Sequence, residues 1–222
     1  LVVWAEQHAD SGLAALLVAS MPIWVAIMEA LIDRKLPSKI LIISLLVGFA
    51  GIGVLSYPVL TSGVRADLLS VLALLAAPVA WGAGSLLQAR YPVELTPRAS
   101  SGIQMLAGGA GFLVLTLALR EPLPTPSLNA WLAFIYLVLF GAVLAFTSFV
   151  TALQILPTNI LMTYAYVNPV IAVLLGWLVL NEAITLWTIS GTVLVLLGVY
   201  GVFHERNRRA RRDVSPEPAV HA

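Results

Sequence analysis

Seven times between Ser11 and Phe203 the chain runs for roughly twenty residues that are almost wholly apolar, the length a helix needs to cross a bilayer. These runs lie near residues 11–32, 38–58, 67–90, 99–119, 128–154, 157–180 and 183–203. Ahead of them, residues 1–7 read as the tail of a further apolar segment. Between them stand short breaks rich in charge, Pro or Gly: Asp33 to Lys39, Ser62 to Asp67, Arg90 to Arg98, Arg120 to Ser127, Pro157-Thr158-Asn159 and Asn181-Glu182. No break is long enough to fold as a soluble domain. The runs also lack the alternating pattern of a membrane β-barrel. The fold class is therefore an all-α integral membrane protein, a multi-span helical bundle whose first partner is the lipid bilayer. Composition agrees: 60% of residues are hydrophobic and 10% charged, with mean hydropathy +0.96, against about 25% charge in a soluble domain.

Charge placement gives the orientation. If the loop at 33–39 is cytoplasmic, alternate loops follow it, and that side holds Arg34, Lys35, Lys39, Arg90, Arg98, Arg206, Arg208, Arg209, Arg211 and Arg212. The other side holds only Arg65 and Arg120 of the 12 basic residues. Such asymmetry is the positive-inside signature and predicts a cytoplasmic C-terminus. The segment 204–222, basic and then Pro- and Glu-rich, is expected to be a disordered tail. A net charge of +1 argues against a nucleic-acid partner. Without Cys there is no disulfide or thiolate metal site. The histidines, His8, His204 and His221, lie at span ends or in the tail, so the sequence offers no Ser–His dyad, metal cluster or cofactor site, and no enzyme is expected.

Displaced by 147 residues, the chain roughly overlays itself. Pro22 falls on Pro169, Gln7 on Gln154, Ser11 on Thr158 and Gly51 on Gly198. Identities are too few to carry the argument; matched span lengths and prolines do. Five spans separate equivalent points, and an odd number inverts the second copy, as in many secondary transporters. The domain organisation read from this is 1–58 as the later part of a first repeat, 67–203 as a second repeat, and the tail. The first repeat would begin about 80 residues before Leu1, so a ten-helix unit with an earlier segment is expected. A homodimer, or pairing with those earlier helices, would complete the bundle.

Pro22, Pro169 and Pro78 are candidate helix breaks or hinges, because an internal Pro frees the carbonyl four residues back. For the matched pair these carbonyls belong to Val18 and Ala165. Polar and aromatic groups at mid-span are candidates for a substrate cavity: Tyr164, Tyr166 and Asn168 first, then Trp81, Gln104 and Ser20, with Trp24 behind them. Tyr164 and Asn168, four apart, share a helix face. Helix–helix hydrogen bonding is the competing reading. Glu6 and Glu29 are the candidate coupling carboxylates, although neither falls at mid-membrane; Glu182 falls in an outer turn. The glycines Gly48, Gly51 and Gly53, and Gly102, Gly108, Gly109 and Gly111, are expected to be packing positions.

The stretch Trp4-Ala5-Glu6-Gln7 followed by Ser11 to Pro22 resembles the junction of helices three and four in the EamA family of the drug/metabolite transporter superfamily. Tyr164 to Val170 is similar to the family's ninth helix, Leu180-Asn181-Glu182 to its turn into helix ten, and Gly191 to Gly198 to its last helix. The resemblance implies a basket of two inverted five-helix repeats in a bacterial inner membrane, exporting amino acids, metabolites or drugs. A permease for small organic solutes working by alternating access is the resulting expectation. A non-transporting remnant or partner subunit, and a flippase for lipid-linked groups, are the alternatives.

Overall fold

The computed structural model describes residues 1–61, 66–120, 124–180 and 184–214. Arg65, Asn181, Glu182 and His221 lie outside the described residues. Every regular element among the described residues is helical. Seven helical segments are long and apolar enough to cross a membrane: Leu13–Asp33, Lys39–Pro58, Leu68–Arg90, Pro97–Leu119, Leu128–Ile155, Thr158–Leu175 and Leu186–Glu205. They coincide with the seven runs read from sequence. Their outer faces remain apolar and exposed, as at Leu106, Phe112 and Leu197, which fits a chain whose solvent is lipid.

The first unit comprises residues 1–87 and 158–222, and the second 88–157. In the first unit, α1 (Val2–Ala5) leads to α2 (Ser11–Val18) and α3 (Met21–Asp33). Here the expectation of one kinked span needs correction. Pro22 does not bend a continuous helix; it stands in the first turn of α3, and the helix stops between Val18 and Met21. Pro is tolerated in a first turn because the N–H it lacks would have had no intrahelical partner. At the break, Ser20 Oγ donates to the Leu17 carbonyl at 2.5 Å. The helix α4 (Lys39–Thr61) and the span α5 (Leu68–Arg90) follow, and Pro58 and Pro78 lie inside them.

Asp67 caps α5: its Oδ1 accepts from the Ser70 amide at 2.6 Å. This bond holds the Asp67 carboxyl below its ordinary value of 3.8. A lowered folded value means that the cap's contribution is complete above the ordinary carboxylate range and is lost as pH falls through the folded value. Acidification is expected to lower the protection factor of the Ser70 amide, its exchange measured against the intrinsic rate at the same pH. Asp67→Asn, which caps without titrating, should flatten that response. A Ser70 protection factor that falls equally in Asp67→Asn would count against the cap.

The first unit closes with α9 (Thr158–Leu161), α10 (Tyr164–Leu180) and α11 (Leu186–Val214). Pro169 does lie inside α10. Here too a short helix precedes a long one, but the break precedes the proline by more than a turn. The last helix overturns the boundary at His204: residues 204–214 are helical, not disordered. The segment from Phe203 to Val214 contains no Gly or Pro and is rich in Arg, a good helix former.

α4 and α11 run antiparallel with backbones almost touching. A Cβ on Gly198 would lie 2.5 Å from Gly48 Cα and N, and one on Gly51 would lie 2.6 Å from Val195 N. Gly191 abuts Leu55, and Gly201 abuts Ser44. Adding 147 to positions 51, 48 and 44 gives 198, 195 and 191. The contacts of Gly51 with Val195 and Gly191 therefore correspond one for one to those of Gly198 with Gly48 and Ser44. Around this seam the core gathers Leu41, Leu45, Ile52, Ile160, Tyr166 and Val202. A smaller cluster joins Ala5, Ala9 and Ala14 to Ala73 and Leu74.

The second unit holds the last residues of α5, then α6 (Pro97–Leu119), α7 (Leu128–Tyr136), a π-helical segment (Leu137–Ala145) and α8 (Phe146–Ile155). Thr96 and Ser127 cap α6 and α7, accepting from the Ala99 and Ala130 amides at 3.3 Å each. The Ser101 and Thr147 hydroxyls join α6 to α8 at 2.9 Å. The packing role expected of Gly102, Gly108, Gly109 and Gly111 is not seen: nothing lies within 4 Å of a Cβ built on any of them, and the same holds for Gly53. Every residue from Gly102 to Leu119 is exposed. Gly48 and Gly51 do pack as expected.

Candidate functional site

The helix break before Pro22 positions the most concentrated polar and aromatic grouping of the first unit. Ser20 sits in the break, 9% exposed, and its Oγ accepts from Trp24 Nε1 at 3.0 Å. Because Ser20 already donates to Leu17, it ties the indole one turn along α3 back to the end of α2. Met21, next in sequence and buried, accepts the Tyr164 hydroxyl at its sulfur at 3.9 Å, a long and soft contact. Tyr164 is also hydrogen-bonded to the Trp81 side chain of α5. Gly82 brings α5 close to α3: a Cβ there would lie 2.8 Å from Val25 and 2.9 Å from Met28.

Three helices thus bring Ser20, Trp81 and Tyr164 into one neighbourhood, with Met21 and Trp24. Trp81 is 42% exposed and Tyr164 half-buried, so the grouping presents a surface. An indole N–H, a phenol and aromatic faces on apolar walls suit the orientation of a small organic molecule. Met21 was not among the sequence candidates. Its signal was adjacency to Pro22 at a break, which only the structure separates from a kink.

Tyr166 does not join them. It is fully buried, its ring is packed where Gly48 leaves room, and its hydroxyl donates to the Leu45 carbonyl at 3.0 Å. Residues two apart on a helix point in nearly opposite directions, so Tyr164 and Tyr166 cannot serve one cavity. Tyr166 is instead a strut between α10 and α4. Asn168 is exposed on α10 and Pro169 half-buried. Pro78 is fully buried, below Trp81 on α5. Gln104 belongs to the second unit, where its Nε2 donates to Ser100 Oγ at 3.0 Å. Of the carboxylates, Glu6 is exposed, whereas Glu29 lines a pocket of about 130 Å³ with Asp33, Lys35 and Asn159.

These features describe an α-helical multi-span membrane protein with a discontinuous helix beside an aromatic surface. The EamA-like transporter family matches residues 68–204, more than half of the chain, and the chain belongs to that family. It is 31% identical over 208 residues to the uncharacterized inner membrane transporter YedA of Escherichia coli K12, covering 90% of this chain and 66% of that protein. It is 26% identical over 207 residues to an uncharacterized transporter of Archaeoglobus fulgidus, covering 90% of this chain and 71% of that one. The chain thus spans about two thirds of the length of these relatives. A crystal structure with TM-score 0.73 and 20% identity, covering 91% of this chain and 71% of its own, shares the fold.

Proposed function

We propose that this chain forms the greater part of a permease that moves small organic solutes across an inner membrane by alternating access, as an exporter. The observation that carries the reading is that Tyr164 is joined both to Trp81 and to Met21, the residue that follows Ser20 at the break between α2 and α3. Backbone is left non-helical within a span only where protein or a cavity satisfies it, and such breaks commonly flank transporter sites. The one-for-one contacts across the α4–α11 seam support the inverted repeat on which alternating access rests. Trp81 and Tyr164 bind the solute; Ser20 holds Trp24 in place beside them. Asn168 lines the approach. Pro22, Pro78 and Pro169 set the helix ends and bends that move, and Glu29 in its polar pocket supplies coupling. The ten-to-two asymmetry of basic residues supports a cytoplasmic C-terminus.

The test is counterflow in proteoliposomes, with the protein taken together with whatever coding sequence precedes Leu1. The panel is labelled amino acids and other small metabolites. Tyr164→Phe and Trp81→Phe are expected to lower initial uptake about tenfold, the equivalent of one hydrogen bond to substrate. Wild-type rates in both variants would overturn the assignment, and uptake of no panel member by the wild type would overturn the solute class.

A further inference from the structure

A second cavity, of about 580 Å³, lies wholly within the second unit. It is lined by the end of α5 at Gln88 and Ala89, the loop carrying Glu94, the start of α6 at Thr96 and Ser100, and the end of α8 at Gln154. Its volume falls in the usual range of small-molecule sites, roughly 300–1,000 Å³. Glu94, Thr96 and Ser100 are each held by identifiable local structure. A tight turn, with the Leu95 amide donating to the Val93 carbonyl at 2.7 Å, sets Glu94 at its apex. Thr96 accepts from the Ala99 amide, so its hydroxyl proton is still free to donate. Ser100, 4% exposed, accepts from Gln104. Ser44, Ser85, Ser148 and Ser190 donate to the carbonyl four residues back. Among the described hydrogen bonds Ser100 makes no such donation, and its proton is available to a ligand.

The lining is therefore two amides, two hydroxyls and one carboxylate, set on apolar walls that include Leu153. Arg90 and Arg98 flank the loop, but neither lines the cavity. A lining with a carboxylate and no cation disfavours anions and favours a protonated amine. From this lining we infer that the cavity is a binding site for a small organic amine that also carries a hydroxyl or amide group. Glu94 pairs with the ammonium; Ser100, Thr96 and the Gln88 and Gln154 amides take the neutral groups. The site shares none of its side chains with the grouping around Tyr164, so it stands or falls separately from the transport reading.

The chain contains no Cys, so a single reporter thiol can be placed without background. Ala89→Cys in lipid nanodiscs is labelled with a fluorescent maleimide in the presence of tyramine, 4-ethylphenol or 4-hydroxyphenylacetate. These share one ring and differ in carrying an amine, no charge or a carboxylate. Tyramine is expected to slow labelling about tenfold once present at ten times its Kd, while the other two leave the rate unchanged. Adding Glu94→Gln should abolish the protection, and Ser100→Ala should weaken it. A Lys39→Cys reporter, outside the cavity, should label at one rate throughout. Equal protection by tyramine and 4-ethylphenol, protection that survives Glu94→Gln, or no protection by tyramine would each overturn the assignment.

Discussion

Gly198→Ala is expected to cost about 3 kcal/mol of stability, the upper end of what overpacking a closed interior typically imposes. The added methyl would sit 2.5 Å from Gly48 Cα and N. Those are backbone atoms of a facing helix, not the end of a flexible side chain, so relief requires α4 and α11 to separate. Separation would also pull Gly51 from Val195 and Gly201 from Ser44. Small residues serve membrane helices by permitting such close approach. Gly109→Ala is the control. Nothing lies within 4 Å of its Cβ, and Ala is the better helix former, so this change should add about 0.5–1 kcal/mol. Reversible unfolding in mixed detergent micelles, followed by circular dichroism, measures both. Equal stabilities for the two variants would mean that the seam is looser than described.

Tyr166→Ala is expected to cost more than Gly198→Ala, about 3–5 kcal/mol, as for other buried aromatic truncations. The ring is fully buried within the core around Leu41 and Leu45. Tyr166→Phe keeps the ring and loses only the bond to the Leu45 carbonyl, which should cost about 1 kcal/mol. Counterflow per folded molecule should be unchanged in Tyr166→Phe. That separates a strut from a binding group, since Tyr164→Phe should do the opposite, sparing stability and reducing uptake. If Tyr166→Phe abolished uptake while leaving the unfolding midpoint in place, Tyr166 would return to the cavity.

The span positions were legible because a lipid solvent leaves a helix little freedom: its length must match the hydrocarbon, and a charge or Pro must mark its end. The candidate site was legible in part. Trp81 and Tyr164 stand out from the cost of polar groups at mid-span, and a hydrogen bond joins them. Tyr166 was misassigned because the same cost applies whichever way a side chain points. The two-residue offset from Tyr164 carried the answer, since a helix turns about 100° per residue. Pro22 misled for a related reason. The same residue either bends a helix or begins one, and only the hydrogen bonds of Ser20 and its neighbours distinguish these outcomes. The glycines show the limit most plainly. Gly51 and Gly109 are both glycines within apolar spans, but one has a backbone against it and the other has open space. What decides is the partner helix, which for Gly51 comes from the far end of the chain.

The seam between α4 and α11 also bears on how the protein is made. Lys39–Thr61 enters the membrane well before Leu186–Val214 is synthesised. The whole second unit, residues 88–157, is translated between them. Gly48 and Gly51 therefore face lipid or a chaperone until Leu186–Val214 emerges, and the first unit can close only then. A contact so distant in sequence forms slowly. Chains stalled or cut before Leu186 would display a groove of bare helix backbone, a feature by which quality-control proteases could distinguish unfinished copies from finished ones.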